Sequence, residues 1–235
     1  MANKVTIITG NIGSGKSTLA DYIGKQGDFL CIPEFIDKAW RDHFYEDRKG
    51  MTAYFEKSCL MGRIARHVTA KKTKGTVFFD RGLIEAREIF VQNSFDEGYM
   101  THEELSGYDL ELKRGLDKLG RTKGDLDKWM ESTIVYLEAP PEVCYQRQFK
   151  RNKTKDETGG EKIPREYFQR INSYYKKLMT SEGLKKAYNK WGLSNTPGLV
   201  TINASRDFTK NGNELDEDYL KETFDRFRGI IGEQK

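Results

Sequence analysis

A chain of 235 residues is long enough for one full α/β core, and 40 Lys and Arg against 36 Asp and Glu leave a formal charge of +4, too balanced to mark a nucleic-acid partner. Cys31, Cys59 and Cys144 stand without CxxC spacing and with few histidines to help, which argues against a zinc site or a disulfide framework and for reduced thiols in a cytoplasmic protein. No apolar run approaches the ~20 residues that cross a bilayer, and the first strand begins too near Met1 to leave room for a targeting segment, so no membrane partner is expected.

The chain opens on Val5-Thr6-Ile7-Ile8-Thr9, an apolar, β-branched run that reads as a buried strand. Gly10-Asn11-Ile12-Gly13-Ser14-Gly15-Lys16-Ser17 follows, and Thr18 to Lys25 reads as a helix. This is the phosphate-loop pattern in its proper strand-to-helix setting. Glycines there can turn backbone N–H groups inward, Lys16 can reach the β and γ phosphates, and the Ser17 hydroxyl can ligate Mg²⁺. A nucleoside triphosphate site is expected.

Phe29-Leu30-Cys31-Ile32 is a second strand, stopped by Pro33, which leaves the Glu34 carboxylate at the sheet edge where open α/β folds bind ligands. From Ile36 to Lys74 the pattern is helical and rich in aromatics (Trp40, Phe44, Tyr45, Tyr54, Phe55), with a break expected at Gly50. Lys71, Lys72 and Lys74 read as a solvated helix end. Thr76-Val77-Phe78-Phe79 is a third strand that delivers Asp80 and Arg81 to the same edge, the acid suited to Mg²⁺ or its water and the guanidinium to oxygens. Leu83 to Met130 reads as polar helix, broken near Gly98-Tyr99 and Gly120 to Gly124.

Thr133-Ile134-Val135-Tyr136-Leu137 is a fourth strand, and Pro140-Pro141 opens a helix carrying Arg147, Lys150, Arg151 and Lys153 into Asp156-Glu157-Thr158-Gly159-Gly160-Glu161. Cations ending in a Gly-Gly hinge suit a lid, at about residues 147–165, that closes over a triphosphate. Ile163-Pro164 begins a helix to about Lys190, Leu199 to Ile202 is a fifth strand, and Leu215 to Ile231 is an amphipathic helix. Strands alternating with helices imply a parallel, three-layer α/β fold in one domain over 1–235.

These elements together resemble the deoxyribonucleoside kinases, most closely the bacterial and viral members that read Asp-Arg after the third strand. The resemblance rests on Gly10 to Thr18, Pro33-Glu34, Tyr45 to Arg63, Phe79-Asp80-Arg81 with Phe90, and Val135-Tyr136-Leu137 leading through Arg147 and Arg151 to Ile163-Pro164-Arg165-Glu166-Tyr167. It implies a P-loop kinase fold with strand order 2-3-1-4-5, a helical lid and a homodimer. It also implies transfer of the γ-phosphoryl of ATP, or another nucleoside triphosphate, to the 5′-hydroxyl of a deoxyribonucleoside for nucleotide salvage.

By the same resemblance Glu34 accepts the hydroxyl proton, Arg81 holds Glu34 and the attacking oxygen, Lys16, Arg147 and Arg151 neutralise phosphate charge, and Ser17 and Asp80 serve Mg²⁺. Tyr45 and a lid carboxylate, Glu157 or Glu161 with Glu161 favoured, meet the sugar 3′-hydroxyl. Glu56 and Arg63 lie near the base edge, Phe90 against the base face, and Trp40 and Phe55 form walls. The loop Asn203 to Thr209, with Arg206, Asp207 and Phe208, lies against the donor's adenine.

Three departures shape the expected specificity. Glu56 stands where many members carry Gln, and a carboxylate only accepts hydrogen bonds, so purines are expected, guanine first for its paired N1–H and N2–H₂. The lid is longer than usual. Gly82 replaces a common Ser, and Phe35 a common Pro. A thymidylate-type kinase shares the fold and the Asp-Arg pair but must cradle an anionic acceptor, which Glu34 opposes. A nucleotide-hydrolysing switch protein lacks support here, because Asn152-Lys153-Thr154-Lys155 fails the Asn-Lys-x-Asp base-reading pattern at its last position.

Overall fold

The computed structural model describes residues 4–27, 29–34, 36, 38–120, 131–154, 163–210 and 214–231, with side chains at all of these except 38, 42, 45, 151–154, 227, 230 and 231. Five parallel strands, β1 (Lys4–Gly10), β2 (Leu30–Ile32), β3 (Thr76–Asp80), β4 (Glu131–Glu138) and β5 (Gly198–Asn203), form one sheet in the order β2-β3-β1-β4-β5. This is the expected order. Alternation along each strand sends neighbours to opposite faces, and both faces are covered. Ile7 and Phe79 join a core with Leu83, Leu112 and Tyr175, while Ile8 and Phe78 join a second core with Leu19, Ile23 and Phe224.

The helices are α1 (Lys16–Lys25), α2 (Lys38–Glu46), α3 (Arg48–Ala70), α4 (Leu83–Ala86), a π-helical turn (Arg87–Val91), α5 (Gln92–Asp96), α6 (His102–Leu119), α7 (Pro141–Thr154), α8 (Arg165–Leu178), α9 (Ser181–Lys190) and α10 (Glu217–Ile231). A small hairpin, β6 (Thr209–Lys210) with β7 (Glu214–Leu215), precedes α10. α1 begins at Lys16, two residues before the expected Thr18.

Several expected boundaries move for identifiable reasons. The break expected at Gly50 falls at Asp47, whose carboxylate accepts the Gly50 N–H at 2.9 Å and caps α3. The single helix expected from Ile163 to Lys190 is two, because Thr180 Oγ1 accepts the Gly183 N–H at 2.9 Å and starts a new one. The last helix starts at Glu217 rather than Leu215, which belongs to the hairpin. Lys71 lies beyond α3, where its ammonium caps the C-terminus of α6 by donating to the Leu119 carbonyl. Of the lid expected at about 147–165, residues 155–162 lie outside the described residues.

β1 is the hinge of the arrangement. The chain leaves it one way to β2 and β3 and the other way to β4 and β5, so its carboxyl end opens the crevice between them. The register Ile8↔Asp80 and Gly10↔Leu137 sets the phosphate loop beside the end of β3.

Candidate active site at the carboxyl edge of the sheet

The phosphate loop needs its glycines for space as well as angle. Gly13 (φ 78°) and Gly15 (φ 98°) are left-handed, and a Cβ would sit 2.6 Å from the Cys144 carbonyl oxygen in the first case and 2.5 Å from the Phe208 ring in the second. Asn11 is buried and braces the loop, its amide donating to the Phe168 carbonyl at 2.9 Å while its oxygen accepts the Ile12 N–H at 2.8 Å. Ser14 is buried and Thr18 half-buried. Lys16 is buried, and its ammonium donates to the carbonyls of Gly10 (3.0 Å) and Asn11 (2.9 Å). Burial, and then the nearby Arg81 charge, lower its pKa to about 8. A phosphate oxygen would raise it again by favouring the charged form, so this lysine is suited to answer negative charge.

Glu34 sits just past β2, and its carboxylate is bracketed. One oxygen pairs with Arg63 of α3 and the other lies 3.3 Å from Arg81 Nε. Burial alone would raise its pKa, but Arg63, Arg81 and Arg66 outweigh that and hold it below the usual value. Arg81 adopts a left-handed backbone (φ 67°), rare outside glycine, at a point where the chain turns from β3 into α4. Its guanidinium lies 4.0 Å over the Phe90 ring and 3.6 Å from Glu85. Phe90 therefore supports the arginine beside its expected place at the base face. It is 9% exposed.

Ser17 Oγ donates to Asp80 Oδ2 at 3.0 Å, while Asp80 Oδ1 is buried with no hydrogen-bond partner among the described residues. A hydroxyl and an acid with spare acceptor capacity suit Mg²⁺, which takes one or two protein oxygens and keeps several waters. Among the described residues no cluster of three or more His, Cys, Asp or Glu could hold a metal by itself.

On α3, Glu56 and Arg63 are buried on one helix face, with Cys59 between them. Burial pushes Glu56 up to about 7, against the pull of Arg63. Phe55 stacks on Phe44 (centroids 4.4 Å apart), and Trp40 on α2 is 43% exposed. Tyr45 lies in α2 with its side chain outside the described set, Arg151 likewise in α7, and both Glu157 and Glu161 lie outside the described residues.

On the donor side, Arg147 donates to the carbonyls of Ala204 and Ser205, each at 2.9 Å, and lies 3.6 Å from Asp207. It thus ties the phosphate-loop side to the 203–209 loop. Arg206 is exposed, pairs with Asp216 and lies 4.5 Å over Tyr219. Phe208 is 1% exposed and packed beneath Gly15 and against Tyr219, so it props the phosphate loop from below.

Sequence reasoning missed three residues. Arg66 donates to the carbonyls of Asp80 (2.8 Å) and Arg81 (3.2 Å), fixing the end of β3. Glu85 accepts the Gly82 N–H at 3.0 Å. The Tyr175 hydroxyl accepts from the Gly10 N–H and from Arg81, both at 3.3 Å, lies 3.1 Å from Thr9 Oγ1, and shares its proton between the Gly10 carbonyl and Glu85. Spacing was the available signal: Arg66 recurs three residues after Arg63 on a buried helix face, and Glu85 stands four after Arg81, in the first turn of α4. Tyr175 had none, since a tyrosine on an amphipathic helix looks like any core aromatic.

Known proteins with similar sequences are kinases by name. The chain is 25% identical over 169 residues to a probable deoxycytidine kinase of fowlpox virus, covering 66% of this chain and 65% of that protein. It is 27% identical over 191 residues to human mitochondrial thymidine kinase 2 (77% of this chain, 66% of that one) and 22% identical over 248 residues to mouse deoxycytidine kinase (89% and 87%). The matches thus span a little under two thirds of the length of the first two relatives. The family model for deoxynucleoside kinases matches residues 6–227, from the first strand into the final helix, and with the sheet order and phosphate loop described above the chain belongs to that family.

Proposed function

We propose that the chain transfers the γ-phosphoryl of ATP, or another nucleoside triphosphate, to the 5′-hydroxyl of a deoxyribonucleoside in nucleotide salvage, with deoxyguanosine or deoxyadenosine preferred. The observation that carries the reading is Glu34: a carboxylate kept ionised by Arg63 and Arg81, beside the loop that holds Lys16. Phosphoryl transfer needs positioning and charge neutralisation above all. Glu34 takes the proton of the 5′-hydroxyl as that oxygen attacks. Arg81, propped by Phe90 and Glu85, orients Glu34 and the oxygen, and Lys16 with Arg147 and Arg151 meets phosphate charge. Ser17 and Asp80 would hold Mg²⁺, which when bound neutralises charge on the donor phosphates. The lid at about 147–165 closes over them, and Glu161 or Glu157 with Tyr45 meets the sugar 3′-hydroxyl.

The purine preference rests on Glu56, which as a carboxylate accepts twice and matches guanine's two N–H groups. A second reading has its own support: relatives are named for deoxycytidine and thymidine, and burial pushes Glu56 up to about 7. A neutral Glu56 offers one donor and one acceptor, as glutamine does, and suits cytosine or adenine. A thymidylate-type reaction is disfavoured because Arg63 and Arg81 are already matched by the carboxylates of Glu34 and Glu85. No helix among the described residues is long and apolar enough to cross a membrane, and action in the cytoplasm rests on the unpaired thiols of Cys31, Cys59 and Cys144.

A homodimer is supported by α3, where exposed Tyr54, Met61 and Val68 recur every seventh residue. The decisive test incubates each of the four deoxyribonucleosides, and separately its 5′-monophosphate, with ATP and Mg²⁺. Formation of monophosphates, fastest from deoxyguanosine or deoxyadenosine, is expected; diphosphates formed from added monophosphates would overturn the assignment.

A further inference from the structure

The turn that follows Arg81 is held from an unexpected direction. A helix start is usually capped by a Ser, Thr, Asp or Asn at the residue before it, whose side chain accepts a free backbone N–H. Here that residue is Gly82, with no side chain to offer, and its backbone is extended (φ −98°, ψ 174°), so conformation alone does not require glycine. Space does. A Cβ at this position would stand 2.5 Å from Oε1 of Glu131 and 3.0 Å from its Cδ.

Glu131 opens β4, two places along the sheet from β3, and is 4% exposed. The same Oε1 accepts the Leu83 N–H at 2.9 Å, while Oε2 is held by the buried Tyr188 hydroxyl of α9. His67 of α3 lies 3.8 Å away, kept neutral by burial, which lowers it to about 4. Arg66 secures the Asp80 and Arg81 carbonyls, and Glu85 the Gly82 N–H. With Leu83 held by Glu131, successive backbone groups from 80 to 83 are fixed by side chains from elsewhere in the fold. The left-handed Arg81 sits in the middle of them.

We propose that Glu131 is a positioning residue for Arg81: entering from β4, its carboxylate caps the following helix at Leu83 in the space a side chain at 82 would fill, and Gly82 and Glu131 form a matched pair that aims the Arg81 guanidinium at Glu34. The proposal rests on the role given above to Arg81 and adds a partner that neither its sequence neighbourhood nor the phosphate loop supplies. Glu131 touches no reacting atom. Its effect passes through the turn.

The test is an exchange within the pair. Gly82→Ser alone pushes a side chain against Glu131, and Glu131→Ala alone removes the cap; each is expected to lower kcat at least tenfold with KM for ATP within twofold of the parent, since the phosphate loop is untouched. Gly82→Ser with Glu131→Ala restores a cap from the adjacent residue and is expected to return kcat to within about threefold of the parent, an energetic coupling of the kind double-mutant cycles detect. Glu131→Gln keeps an acceptor oxygen and, because burial pushes the parent carboxyl up to about 7, imitates its neutral form; it should retain most of the parent kcat.

Hydrogen exchange of the Leu83 amide follows the cap separately from turnover, with protection lost in Glu131→Ala and regained in the double variant. A double variant that fails to fold, or is no faster than the slower single variant, overturns the proposal. So does regained protection without regained kcat, or a folded Glu131→Ala protein with kcat within twofold of the parent. Arg81→Ala, measured alongside, isolates the underlying reading: undiminished turnover there would refute the role of Arg81 itself, whatever the cap does.

Discussion

Replacing Glu34 with glutamine separates the carboxylate's chemical role from its structural one. The parent side chain binds one guanidinium directly and another at 3.3 Å, both belonging to buried arginines. Hydrogen bonds to charged groups contribute about 1.5–3 kcal/mol each. The glutamine carbonyl still accepts from one arginine, so the net loss is about 2–3 kcal/mol, and for a chain of this length about 2–4 °C of melting temperature per kcal/mol gives a drop of about 4–12 °C. The pKa of Glu34 is depressed in the fold, so its stabilisation is present above the unfolded value near 4.3 and disappears as pH falls through the folded value. The melting difference between parent and variant should therefore be full at pH 7 and close below pH 4. Turnover should fall about 10²–10⁴-fold, the usual contribution of a positioned general base. Calorimetry across pH and a coupled assay for ADP provide both readings. A variant that keeps more than a tenth of the parent kcat would refute Glu34 as the base, even if its stability fell as calculated.

Tyr175→Phe deletes a buried hydroxyl that joins the phosphate loop to Arg81 and Glu85, so it should cost about 1–3 kcal/mol in stability and raise KM for ATP while lowering kcat, measured by initial rates over an ATP series. Glu56→Gln should shift preference from deoxyguanosine toward deoxycytidine. In the parent, the deoxyguanosine-to-deoxycytidine rate ratio should rise between pH 6 and 8 as Glu56 loses its proton near 7, and a flat ratio would count against base reading by this residue. Asp80→Asn should weaken the Mg²⁺ requirement's midpoint by about 10–100-fold in a metal titration of turnover, the range seen when groups supporting a metal are changed.

The five strands were legible because each is a short run with ends marked by Gly or Pro, while their order came from the family resemblance. Lys16, Glu34, Asp80 and Arg81 were legible for a related reason: the last three stand at or just past strand ends, Lys16 closes the loop that leaves β1, and parallel strands deliver their ends to one edge. Contacts made far along the chain were not. The Tyr175 hydroxyl meets Gly10 across 165 residues, and Glu131 meets Leu83 across 48; no periodicity records either partnership. Helix boundaries slipped where side-chain caps decided them. Asp47 and Thr180 each broke a run whose hydrophobic spacing continued, because the free N–H groups of a helix start were better satisfied there than by further winding.

The π-helical turn between Arg87 and Val91 gives the α4–α5 segment one residue more than regular winding would use. Before it, Glu85 answers to the active-site arginine; after it, Asp96 and Glu97 reach Tyr174 and Arg170 on α8. The wide turn absorbs that surplus residue, so those two sets of partners stay in phase. Deleting one position from 87 to 91 would let the segment rewind as plain α-helix with its ends still facing the same partners. Inserting one would instead turn the far end by about 100° and force one anchor to be abandoned, so a residue lost here should be tolerated far better than a residue gained.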